Sequence, residues 1–228
     1  MRHPLVHILR AGSAVLLAAA TLVTPPQVLA ASCNPHRAAD NHAYWVGVTD
    51  PLSGTRAVYS QIKTYDPYVS GSGFSYAWVM LPGPGSSSWA QIGPYRAASR
   101  LTTTIQWNQP GDPAPTQMDL PATTVGSVHT YSVGFAPSTH TFVFYLDGAT
   151  KASTTLSWAP TSAQVFSEIW QLSSQLMGDA SSKESFGSTE IMNSSGSWQW
   201  YSGTLSPPTT HFSDSGGPVT FFTWDLCK

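Results

Sequence analysis

Residues 125–158 read VGSVHTYSVGFAPSTHTFVFYLDGATKASTTLSW. Within them 129–135, 140–146 and 151–158 alternate apolar with polar side chains, the period of a half-buried strand. Asp147-Gly148 falls between the last two runs, and an Asp-Gly pair in that position marks a tight hairpin. Three strands are therefore expected here, the last two joined as a hairpin. The same alternation recurs in both directions along the chain. Strands are predicted at 44–48, 56–65, 74–81, 89–95, 101–107, 164–175, 185–192, 198–203 and 219–224. Between them lie clusters of Gly, Pro, Asn, Asp and Ser such as DPLSGT, LPGPGSSS, NQPGDPAPT and LSPPTT, which read as turns and loops. No apolar run at helical spacing exceeds two turns beyond residue 30. Strands at roughly ten-residue spacing with Gly/Pro turns predict an all-β fold, an antiparallel β-sandwich.

Residues 1–30 are set apart from this pattern. Arg2 and Arg10 give a basic start, an apolar run follows, and Val28-Leu29-Ala30 has the small residues of a cleavage site. This is read as a signal peptide, too short in its apolar part to span a bilayer. Residues 31–228 then form a single β-sandwich domain of an extracellular, secreted protein. Removing Arg2 and Arg10 leaves eight basic residues against twelve acidic, a formal charge of −4. So acidic and sparsely charged a surface offers nucleic acid and anionic membrane nothing to bind, since both need clustered Lys and Arg. The expected partner is an extracellular polypeptide or polysaccharide, met by a monomer. Nine Trp and nine Tyr accompany an uncharged polar surface, the composition of many glycan- and peptide-binding faces. Cys33 and Cys227 are the two cysteines; in an oxidising compartment they are expected to form one disulfide that ties the termini. His36, His42, His129, His140 and His211 show no ligand spacing, so neither a metal nor another cofactor is expected.

Residues 213–218 read SDSGGP, and DSGGP resembles the nucleophile loop of trypsin-like serine proteases. No His lies in the context that family needs for its base, and thirteen residues follow Ser215, too few for the pocket and last strands of that fold. The segment is read instead as a turn.

Two further resemblances bear on fold and activity. The opening stretch resembles the paired strands of concanavalin A-like lectins and glucanases, which implies a concanavalin-like jelly roll. The glucanases of that family carry E-x-D-x-x-E on one strand. No such strand occurs here, so a retaining glycosidase of that kind is not expected. Residues 44–48 (YWVGV), 89–93 (WAQIG) and 167–171 (SEIWQ) resemble segments of the glutamic peptidases called eqolisins, with EIW here in place of the family's E-W-I. Those enzymes pair a Gln in a Q-x-G strand with a Glu. The resemblance implies Gln91 and Glu168 as the catalytic pair of a secreted peptide-bond hydrolase.

Strand alternation places Trp89, Gln91 and Tyr95 on one face, and Phe166, Glu168 and Trp170 likewise. If Ile92, Val165 and Ile169 point to the core, Gln91 and Glu168 share an outer face lined with aromatics. A carboxyl between Phe166 and Trp170 is expected to be desolvated, with a raised pKa suited to mildly acidic surroundings. Trp78, Trp89, Tyr95, Trp170 and Gln175 are the candidate substrate contacts. The alternative is a lectin-like module that holds glycan on the same aromatics and does no chemistry.

Overall fold

The computed structural model describes residues 40–51, 54–206, 209 and 211–226. The expected signal peptide and both cysteines, hence the expected disulfide, lie outside these residues. Among the described residues the structure is all-β, with fifteen strands numbered here in chain order. One sheet contains β1 (Ala43–Asp50), β3 (Phe74–Pro82), β4 (Trp89–Ala97), β5 (Arg100–Asn108), β6 (Thr116–Asp119), β10 (Ala163–Trp170) and β13 (Thr204–Leu205), in the spatial order β13-β1-β10-β3-β4-β5-β6. The other contains β2 (Ala57–Lys63), β7 (Val128–Ala136), β8 (Thr141–Leu146), β9 (Ala149–Thr155), β11 (Glu184–Met192), β12 (Trp198–Trp200), β14 (Phe212–Gly217) and β15 (Thr220–Asp225). Its order is β14-β15-β11-β2-β7-β8-β9, with β12 paired to β11.

The strands of both sheets pair antiparallel, and the sheets pack face to face. Val48, Val79, Ile92, Ile105 and Val165 of the first meet Val58, Val133, Phe142, Phe144 and Phe186 of the second in one cluster. Each such side chain contributes about 1.5–3 kcal/mol by leaving water. The alternation seen in the sequence follows from this: inward positions are apolar, and the next residue faces out.

Three features depart from the sequence reading. Residues 116–119 form β6 where a loop was expected to end. Residues 164–175 do not continue as one strand, because β10 stops at Trp170 and Gln171 takes a left-handed φ of 72°. The SDSGGP segment is mostly strand: Phe212–Gly217 pairs with β15, and the turn falls at Pro218 and Val219. Alternation there is masked by small polar residues, which is why it reads as a turn. Ser215 stands opposite Phe222 in this hairpin, with no hydrogen bond to a histidine among the described residues.

One buried tyrosine ties three segments together. The Tyr201 hydroxyl accepts from the Asp50 amide at 2.9 Å and donates to the Ala163 carbonyl at 2.5 Å. Tyr201→Phe leaves both backbone groups without that partner. We expect about 1–3 kcal/mol lower stability, seen as a lower urea midpoint with an unchanged m-value.

Candidate active site

The faces are as the alternation requires. Ala90, Ile92, Val165 and Ile169 are fully buried between the sheets, which sends Gln91 and Glu168 to the outer face of the first sheet. Glu168 of β10 lies opposite Trp45 of β1 on one side and Tyr76 of β3 on the other. Gln91 of β4 lies opposite Met80 of β3, and Met80 opposite Gln164 of β10. The acid and the amide are thus two strands apart and four residues apart along the strands. That is roughly 10 Å across and 13 Å along at the α-carbons. Trp78 of β3 fills the diagonal between them.

Both groups line one groove of about 500 Å3. Its walls are aromatic. Phe166 stacks on Trp78 with ring centres 5.2 Å apart, and Tyr95 meets Tyr76 edge-on at 5.3 Å. Trp45 stands at the Glu168 end and is 57% exposed. Gly93 lies in the same outward row as Gln91 and Tyr95, and a Cβ there would sit 1.8 Å from the Ala77 carbonyl. Its bareness lets β3 and β4 close up beneath the groove.

Glu168 is half-buried in this aromatic surround and is the one carboxylate lining the groove. Burial pushes its carboxyl up to about 7, against the pull of the Trp78 indole N–H, which donates to Oε2 at 2.9 Å. The carboxyl therefore changes charge near neutrality rather than near the ordinary glutamate value. Trp78→Phe removes the donor that stabilises the charged form. We expect the Glu168 pKa to rise further, as read by carbon NMR of the labelled carboxyl.

The amide is oriented by a relay. Asp119 accepts from Thr104 Oγ1 at 2.8 Å and from Gln117 Nε2 at 2.9 Å, and pairs with Arg100 at 2.7 Å. A carboxylate accepts only, so the Gln117 nitrogen faces Asp119 and its oxygen faces back. That oxygen accepts from Gln106 Nε2 at 2.8 Å, and the Gln106 oxygen accepts from Gln91 Nε2 at 3.0 Å. One Gln91 N–H is committed to this chain, leaving the other and the carbonyl oxygen for a ligand.

No family model matches the chain, and no curated protein is significantly similar to it. Among solved structures, a scytalido-glutamic peptidase bound to a peptide-based transition-state analogue superposes with a TM-score of 0.60. The match covers 82% of this chain and 100% of that one at 12% identity. The fold is shared with a glutamic peptidase. The eqolisin SCP-B, solved with the tripeptide Ala-Ile-His, matches to the same TM-score, identity and coverage. The Bacillus licheniformis β-glucanase reaches a TM-score of only 0.38 over 52% of this chain. At these identities the likeness establishes architecture and nothing finer.

Of the residues singled out in the sequence, Gln91, Glu168, Trp78, Trp89 and Tyr95 line the groove together. Trp170 ends β10 opposite Phe74 and does not line it. Gln175 sits in the following loop, where its side-chain oxygen accepts from the Tyr68 backbone N–H at 3.0 Å and its backbone N–H donates to the Tyr68 carbonyl. Trp45, Gln106, Gln117 and Gln164 line the groove as well. Gln106 and Gln164 were within reach of the alternation argument, since each is an even number of residues from an outward-facing neighbour. Gln117 was not, because no strand was predicted between residues 107 and 129.

Proposed function

We propose that the chain is a secreted hydrolase of peptide bonds that binds extended polypeptide in this groove, with Glu168 as general base and Gln91 as the amide that stabilises the transition state. The observation that supports it is a lone groove carboxyl with a pKa brought near 7, close to the range in which a base is both ionised and basic. In the first step Glu168 takes a proton from water as the water oxygen bonds to the scissile carbonyl carbon. The carbonyl oxygen becomes an oxyanion, and the remaining Gln91 N–H donates to it. The C–N bond then breaks as the Glu168 proton passes to the leaving nitrogen. The aromatic walls exclude water and hold flanking side chains. A substrate carbonyl and the attacking water would lie over the Trp78 indole, which fills the diagonal between the two groups, and catalytic contacts tighten on binding.

The base works in its ionised form, which moves the expected working range from acid to near neutrality. kcat/KM on an unfolded protein should fall tenfold per pH unit below a midpoint near 7. Serine- and metallo-directed inhibitors should leave it unchanged. Protein that cleaves nothing across pH 3–9 but is held on an insoluble polysaccharide through Trp89 would replace this reading with the lectin.

A further inference from the structure

The outer face of the second sheet carries a groove of about 590 Å3 that has no part in the chemistry above. Its floor is β7, where Thr130, Ser132 and Gly134 are all small. Its walls are aromatic. Ser132 lies opposite Tyr59 of β2 on one side and Tyr145 of β8 on the other. Beyond Tyr59 the same row continues through Glu190 of β11 to Trp200 of β12, so it spans five strands, roughly 19 Å. Trp198 lines the groove, held edge-on against Tyr59 with ring centres 6.0 Å apart. Alternation puts Trp200 on the same face. These two indoles are 46% and 60% exposed, an unusual concentration of apolar surface left in water on a three-residue strand.

Charge narrows the occupant. Arg56 and Glu190 enter the groove, and neither side chain has an ion pair or hydrogen bond among the described residues. One unpaired charge of each sign makes the lining neutral, so a polyanion or polycation gains on one group what it loses on the other. Both groups can instead make charge-assisted hydrogen bonds to hydroxyls. The rings offer flat faces to the C–H side of a pyranose, and the floor leaves space for the ring itself.

We propose that this face binds an uncharged polysaccharide chain, laid across the strands from Trp200 to Tyr145. The test is affinity electrophoresis through soluble β-glucan, xylan and galactomannan, with retention on insoluble cellulose and chitin. At least one of these should retard the wild-type protein. Trp198→Ala and Trp200→Ala should each weaken binding by up to about tenfold, while hydrolysis of a soluble unfolded protein is unchanged. Ser132→Gln, which fills the floor, should weaken it in the same direction, and unchanged urea midpoints should show that each variant is folded. Trp89→Ala, in the other groove, should leave retention intact. Absence of binding to the whole panel, retention indifferent to all three variants, or retention lost in Trp89→Ala would each overturn the proposal. None of those results depends on whether Glu168 is a base.

Discussion

Glu168→Gln should hydrolyse unfolded casein at less than about a hundredth of the wild-type rate, the range lost when a positioned general base is removed. The substitution keeps the shape of the side chain. It also keeps an oxygen to accept from the Trp78 indole, which now donates to Oε2 at 2.9 Å. What it removes is the capacity to take a proton from water at neutral pH. The loss should fall on kcat, because Trp78, Trp89 and Tyr95, which line the groove, are untouched. The folded state should gain at pH 8, since a carboxylate that is costly to hold in this groove is replaced by a neutral amide. A variant that loses activity and stability together would point to a structural effect rather than to a missing base.

Stability should decrease as pH rises from about 4.5 to 8, the reverse of the common acid denaturation. Three carboxyls have raised pKa values, each because burial disfavours the charged form: Glu168, Glu184 and Asp214. Glu184 is fully buried between the sheets, where its Oε2 accepts from Ser167 Oγ at 2.6 Å and Oε1 has no partner. Asp214 stands across Thr223 from it, and its Oδ2 is likewise buried without a partner. A raised carboxyl stays protonated in the folded chain after it has ionised in the unfolded one. The folded state then binds more protons, so stability falls with pH from the unfolded pKa upward. For Glu168 the window runs from 4.5 to about 7 and the loss is about 3 kcal/mol. Glu184, held well above its ordinary value by burial, acts in the same direction.

Two groups act oppositely and set the acid limit. Hydrogen bonds from the Tyr44 hydroxyl and the Leu172 amide hold Asp40 below its ordinary value. Partial burial pushes Asp147 up, but the Thr130 amide, His129 and Lys151 together push it down further. Their contributions are lost only below about pH 4. Urea unfolding from pH 3 to 9 should therefore show a maximum near pH 4–5, and Glu184→Gln should flatten the alkaline side. A profile flat from 4.5 to 8 would contradict the burial of these carboxyls.

Much of the fold was legible in the sequence because one face of nearly every strand is buried. Alternation put Gln91 and Glu168 on an outer face on the condition that Ile92, Val165 and Ile169 face the core, and the structure buries all three. The hairpin at Asp147-Gly148 was legible for a local reason, the positive φ that both residues adopt, 53° and 75°. What stayed hidden had no such signal. After Phe212, β14 is built from Ser, Asp and Gly, whose side chains hardly register an alternation, and it pairs with β15. β6 is four exposed residues held to the edge strand β5. Within the groove, the spacing along each strand was readable but the register between strands was not. The diagonal offset of Glu168 from Gln91, with Trp78 between them, depends on how β10, β3 and β4 align. That alignment is fixed by side chains from distant parts of the chain.

That offset makes a structure of the Glu168→Gln protein with a bound unfolded-state peptide the most direct measurement. The proposed mechanism requires an extended peptide crossing β10, β3 and β4, with one carbonyl carbon flanked by the side chain at position 168 and by the Gln91 amide. A peptide that meets these two side chains at residues several bonds apart, or that lies outside the groove, would contradict it.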